Sequence, residues 1–125
     1  MNNWSEQLPD KCPPDNAIDP DGFIFYRLCK SDPPTEIDFN SKRALYPTQF
    51  FKNVSECQAR SLSVWNDLGK CLNIVKLPSH KKKQPIIMQL ALKSGDGLIL
   101  QTFNPNHFSW WRTQSFDIAL VAVIK

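Results

Sequence analysis

The chain is poor in the residues that most often announce a catalytic or metal site. It has four glycines and two histidines. None of them builds G-x-x-x-x-G-K, G-x-G-x-x-G, G-x-S-x-G or H-E-x-x-H, so the motif arguments for P-loop, dinucleotide Rossmann, α/β-hydrolase and zincin folds fall away. Cys12, Cys29, Cys57 and Cys71 include no C-x-x-C pair; zinc-ligand spacing is missing and no metal is expected. The longest apolar run, Ile118 to Ile124, is far short of the roughly 20 residues that cross a bilayer as a helix. Met1 to Lys11 is polar, with no basic start, apolar stretch or small-residue cleavage site. That predicts a mature, cytoplasmic protein without membrane attachment, whose four thiols are free.

What is present fits one folded unit. At 125 residues, 42% hydrophobic and 22% charged, the chain has the size and composition of a single globular domain. No repeat or low-complexity segment is visible. Pro9, Pro13, Pro14 and Pro20 mark residues 1–21 as an irregular arm lying over a domain that spans residues 22–125. The net charge of +3 concentrates its basic excess at Lys81, Lys82 and Lys83, a solvated loop that would add attraction for a polyanion.

Periodicity supplies the elements. Phe23 to Cys29 is apolar on both faces, as in a central strand. Thr35, three residues before Asp38, predicts a short helix through Ala44 that ends at Tyr46-Pro47. Ser61 to Trp65 alternates as a half-buried strand. Asn66 reads as the cap of a helix from about Asp67 to Lys76, with Leu68, Cys71, Leu72 and Val75 on one face. Ile86 to Lys93 and Leu98 to Phe103, separated by Ser94-Gly95-Asp96-Gly97, predict a β-hairpin. Phe116 to Ile124 predicts a central last strand. The order fits an α+β fold, with a mostly antiparallel mixed sheet and two or three short helices.

Four groups of residues stand out as chemistry. Arg27 shares a face with Phe23, Phe25 and Cys29, and a guanidinium there needs an anion. Asp38, Asp67 or Asp117 would serve structurally; a ligand phosphate or carboxylate would serve in a cleft. Ser61 and Ser63 project together and suit a sugar hydroxyl, or orient the arginine, or are simply solvated. His107, able to donate or accept near neutral pH, lies in the aromatic stretch from Asn104 to Arg112 that joins two strands. Trp110 and Trp111 in that stretch could stack on a heterocycle, or pack one to each face of a strand.

Taken in order, Phe25-Tyr26-Arg27, then Ser61-Leu62-Ser63 followed by a helix, then paired strands and an apolar carboxy-terminal strand, resemble a minimal ADP-ribosyltransferase of the arginine-serine-glutamate class. The resemblance covers roughly residues 23–124. It implies an ADP-ribosyltransferase-like fold, NAD as cofactor, Arg27 on its pyrophosphate and Ser61 and Ser63 beside the nicotinamide ribose. The family's catalytic glutamate has no counterpart. Glu56 is the last glutamate and precedes the serines, while Asn106 to Trp110 stands where the carboxylate belongs. His107 is then the catalytic candidate. The expectation is a domain that binds a phosphorylated nucleotide, as a divergent transferase acting on a protein or nucleic-acid target. The alternative is a non-enzymatic interaction module engaging a protein or nucleic acid through Trp110, Trp111 and Lys81 to Lys83.

Overall fold

The computed structural model describes residues 3–123. Six strands, β1 (Ile24–Cys29), β2 (Leu62–Trp65), β3 (Ile86–Ala91), β4 (Gly97–Gln101), β5 (His107–Arg112) and β6 (Ala122–Val123), form one sheet in the order β4-β5-β2-β1-β3-β6. Every pairing among them is antiparallel. Four short helices, α1 (Lys42–Leu45), α2 (Glu56–Ala59), α3 (Leu68–Val75) and α4 (Pro78–Lys81), fill the connections. The fold is α+β, with β1 central as its apolar faces predict.

The sheet has one weak seam. β1 and β3 share six register pairs and β2 and β5 share four, but β1 and β2 meet only at Tyr26 opposite Trp65. Beyond that pair the two strands part.

Several local expectations are corrected. Ile86 to Lys93 and Leu98 to Phe103 do not make a hairpin: β3 pairs with β1 and β6, and β4 with β5. The turn chemistry at Ser94 to Gly97 is real, with Asp96 N–H donating to Lys93 O at 3.0 Å and Lys93 N–H to the Asp96 carboxylate at 2.9 Å. It is held, however, against β5, through Trp110 Nε1–H to Asp96 O at 3.1 Å and Thr113 N–H to the same carbonyl at 3.1 Å. Four strand spacings of about 4.8 Å would separate β3 from β4 in a flat sheet. The short connection, part of it folded into a turn, cannot stretch that far, so the sheet is coiled. The arm shows the same closure: Ile18 pairs with Ile99 on β4, and five residues later Phe23 O accepts from Leu92 N–H at the end of β3.

The helix expected from Thr35 to Ala44 is broken into a 3-10 turn over Glu36–Phe39 and α1, because Ser41 starts a new cap, its hydroxyl accepting from Ala44 N–H. Asp67, not Asn66, caps α3, accepting from Lys70 N–H. Pro78 opens α4 at its first turn, so the lysine run is divided: Lys81 is the last helical residue, Lys82 its cap, and Lys83 lies in the turn that follows. The central last strand is also overturned. Phe116 leaves the sheet to pack on Trp110 and Phe39, with ring centroids 4.9 and 5.5 Å apart. Asp117 caps a second 3-10 turn over Ile118–Leu120, and the two-residue β6 sits on the sheet edge. Ile124 lies outside the described residues.

The expectation of four free thiols is corrected too. Cys12 and Cys57 form a disulfide, Cα atoms 5.6 Å apart, that ties the arm to α2, while Cys29 and Cys71 are free and buried. With a sequence separation of 45 and no spacing signature, the pairing is set by the arm's docking. Glu6 helps fix that docking by accepting from the Ser41 N–H and hydroxyl at 2.9 and 2.6 Å. Among the described residues no helix is long and apolar enough to cross a membrane, and no cluster of three metal-ligating side chains occurs.

Candidate functional site

A groove of about 340 Å³ opens where β1 and β2 part. Its floor is Arg27 and the serines Ser61, Ser63 and Ser109. Ser63 and Ser109 are register partners across β2 and β5. One wall is Lys42, Tyr46, Phe51 and Gln58; Lys30, Lys83 and Phe103 lie on its remaining margins. No carboxylate lines it. The volume is at the lower end of the roughly 300–1,000 Å³ range of small-molecule sites. A second hollow, near 460 Å³, is lined by Asp32, Glu36, prolines and residues of the carboxy-terminal segment, with no basic side chain. Its charge is wrong for a phosphorylated ligand.

Arg27 is placed by the seam. Its side chain lies on the core face of β1 and reaches sideways: Nε–H donates to Asp38 O at 2.9 Å and Nη1–H to Ser63 O at 2.7 Å. Phe39 lies under the guanidinium, 5.8 Å from its ring centroid. The expected carboxylate partner is therefore replaced by two main-chain carbonyls. The Asp38 carboxylate is engaged elsewhere, by Lys30 N–H, Thr35 N–H and the Ser31 hydroxyl at 2.8, 3.0 and 2.6 Å. Burial pushes the Asp38 carboxyl up, but these three hydrogen bonds and the Arg27 charge together hold it below its usual value. Desolvation lowers the Arg27 pKa, yet a guanidinium stays charged throughout the biological range.

Ser63 and His107 come together. The Trp65–His107 and Ser63–Ser109 pairings put both on the face opposite the core, and His107 Nε2 lies 2.9 Å from Ser63 Oγ. His107 is 6% exposed, held between the rings of Trp65 and Phe103 at 5.2 and 5.1 Å. Burial depresses its pKa, against a smaller opposing effect of the Thr102 carbonyl. Arg27 and the His107 ring thus sit on opposite faces and meet only through Ser63, whose carbonyl serves one and whose hydroxyl serves the other. Ser61 lines the groove and donates to Gln58 O at 2.7 Å.

Trp110 and Trp111 are not ligand platforms. They are strand residues, 0% and 1% exposed, and their indoles donate to Asp96 O and Cys57 O. A fully covered ring cannot stack on a base or a partner, so the tryptophan half of the interaction-module reading falls with them. Of Lys81 to Lys83, all exposed, Lys83 alone lines the groove.

Sequence reasoning missed Lys30, Lys42, Tyr46, Phe51 and Phe103, which no motif joins. It missed Arg112 as well, which donates from Nε to Phe39 O at 3.0 Å and from Nη2 to Glu36 at 2.6 Å. The strand alternative for this segment, with Trp110 and Trp111 on opposite faces, is the one the structure bears out, and the same alternation with Phe108 and Trp110 puts Arg112 on the core face. Arg43 shapes the groove wall: Nη1 donates to the carbonyls of Tyr46, Pro47 and Gln49, and Nε pairs with Glu56. No family model, curated protein or solved structure matches this chain.

Proposed function

We propose that this is an ADP-ribosyltransferase-like domain that binds a phosphorylated nucleotide, NAD or its ADP-ribose portion, in the groove between β1 and β2. The observation that carries the reading is the groove's lining. Arg27, Lys30, Lys42 and Lys83 supply positive charge with no carboxylate to oppose it, Tyr46, Phe51 and Phe103 offer aromatic surface, and Ser61 and Ser63 offer hydroxyls. Phosphate, base and ribose each have a matching chemistry there. The reading stops at binding. A transferase that passes through an oxocarbenium ion needs negative charge beside the ribose, and no lining residue carries it.

Calorimetric titration tests this with ADP-ribose, NAD and the unphosphorylated adenosine. ADP-ribose and NAD should saturate a single site, with adenosine at least about tenfold weaker, or 1.4 kcal/mol. Lys42→Ala with Lys83→Ala should weaken ADP-ribose binding and flatten its salt dependence. Absence of saturable binding by any phosphorylated nucleotide, or adenosine binding as tightly as ADP-ribose, would overturn the reading.

A further inference from the structure

Behind the groove, His107 and Thr102 join the lining residues Ser63, Ser109 and Gln58 in a polar cluster whose internal order nucleotide binding does not require. His107 Nδ1 lies 3.1 Å from Thr102 O and 3.1 Å from Thr102 Oγ1. A carbonyl oxygen only accepts, so the ring proton belongs on Nδ1, and the lone pair of the neutral imidazole belongs on Nε2. That nitrogen faces Ser63 Oγ at 2.9 Å. The Ser63 hydroxyl must then donate its proton to His107, leaving its oxygen lone pairs for the groove that Ser63 lines. The orienting residue is itself fixed: Thr102 N–H donates to His107 O at 3.1 Å, Thr102 Oγ1 lies 2.8 Å from Ser109 Oγ, and Ser109 Oγ–H donates to Gln58 Oε1 at 3.0 Å. A hydroxyl hydrogen-bonded to an imidazole that a third group orients is the arrangement of an activated nucleophile.

We infer that Ser63 is a nucleophile, with His107 as its general base, for cleavage of carboxylic esters that carry an anionic group. Ser63 Oγ bonds to the ester carbonyl carbon as its proton passes to His107 Nε2. The tetrahedral intermediate then collapses, the carbon–oxygen bond to the alcohol breaks, and the alcohol leaves with the proton from Nε2. Water repeats the sequence on the acyl-serine: its oxygen bonds to the acyl carbon, its proton goes to Nε2, and Ser63 Oγ leaves and regains a proton. One ester and one water give one acid and one alcohol. Lys30, Lys42 and Lys83 offer positive charge in the same groove, which favours the developing anionic oxygen and selects anionic esters. The assignment uses the groove but not the nucleotide, so failure of ADP-ribose to bind leaves it standing.

The test is covalent labelling of the folded full chain with a fluorophosphonate probe, located by peptide mass spectrometry. The label should sit on Ser63, vanish in Ser63→Ala and slow by about 10² or more in His107→Gln, the contribution expected of a positioned base. An unlabelled Ser63, or an unchanged rate in a folded His107→Gln protein, would overturn the inference. If His107→Gln does not fold, Ser63→Cys and Ser61→Cys keep the question open to refutation. Iodoacetamide should alkylate the former at least about tenfold faster at pH 6, because a thiol beside imidazole ionises below its usual pKa of about 8.5. Equal rates at the two positions would refute the pairing.

Discussion

Arg27→Ala separates an arginine that holds the seam from one that waits for a ligand. In the structure its guanidinium is half-buried and spends two donors on main-chain carbonyls, Asp38 O at 2.9 Å and Ser63 O at 2.7 Å, on either side of the gap left where β1 and β2 part. A hydrogen bond from a charged donor contributes about 1.5–3 kcal/mol, and a buried carbonyl left without a donor costs on the same scale. Two such bonds give about 3–6 kcal/mol, and water entering from the groove brings the expectation toward the lower end, about 3 kcal/mol. Arg27→Lys keeps the charge but replaces the planar fork with a single ammonium. That variant should retain roughly half of the contribution, losing about 1.5 kcal/mol. Urea denaturation measures both, with an unchanged slope showing that the native state still buries the same surface. An Arg27→Ala protein within about 0.5 kcal/mol of the parent, the range of an ordinary surface change, would refute the structural role.

Three further expectations follow from other parts of the molecule. Thiol counting under denaturing, non-reducing conditions should find two groups, because Cys12 and Cys57 are joined. In the native protein Cys29 and Cys71 should resist alkylation at pH 8, since burial pushes both thiols up to about 12. Four thiols would refute the bond, and its reduction should cost about 2–4 kcal/mol. His107 should make stability rise with pH. Its folded pKa lies below 6.5 through desolvation, so between that lowered value and 6.5 the unfolded chain binds more protons, and the contribution is complete above 6.5. Chemical denaturation across pH 5 to 7.5 should lose this slope in His107→Gln; an identical slope would contradict it. Gly97→Ala should destabilise by well over 1 kcal/mol, because Gly97 has φ of +136° and an added Cβ would collide with the Trp111 carbonyl; a neutral outcome in thermal melts would show that the β4–β5 contact is looser than described.

The parts of the fold legible in the sequence are those governed by local rules. β1, β2 and α3 lie where alternation and helical spacing put them, and the capping role of Asp38 appears in its acceptance of the Thr35 N–H. What could not be read is which surfaces meet. Ser94 to Gly97 carries hairpin chemistry, yet its partner is β5, a choice made by Trp110 and Thr113 many residues away. Phe116 and Ile118 have a strand's composition but serve the core from a turn, since the aromatic cluster of Phe39 and Trp110 lacks a cover without them. The disulfide follows the same logic, joining segments whose approach depends on the docked arm. For the site, Arg27, Ser61 and Ser63 were legible because strand periodicity exposes a charge or a hydroxyl in an apolar run. The walls were not. Lys42 and Tyr46 belong to a one-turn helix and its end, and Phe103, 76% exposed with a φ of +68°, sits in the turn before β5. No periodicity relates these residues, which only the coiled sheet brings to one groove.

That groove is where the account is most exposed, and a nuclear magnetic resonance titration of the isotope-labelled chain with ADP-ribose addresses it most directly. The amide signals of Lys42, Tyr46, Ser61, Ser63, Lys83 and Phe103 should shift together along one saturable curve, and those of Asp32, Thr35 and Glu36 beside the acidic hollow should stay in place. Shifts confined to Asp32–Glu36, or scattered without saturation, would contradict a phosphorylated-nucleotide site between β1 and β2.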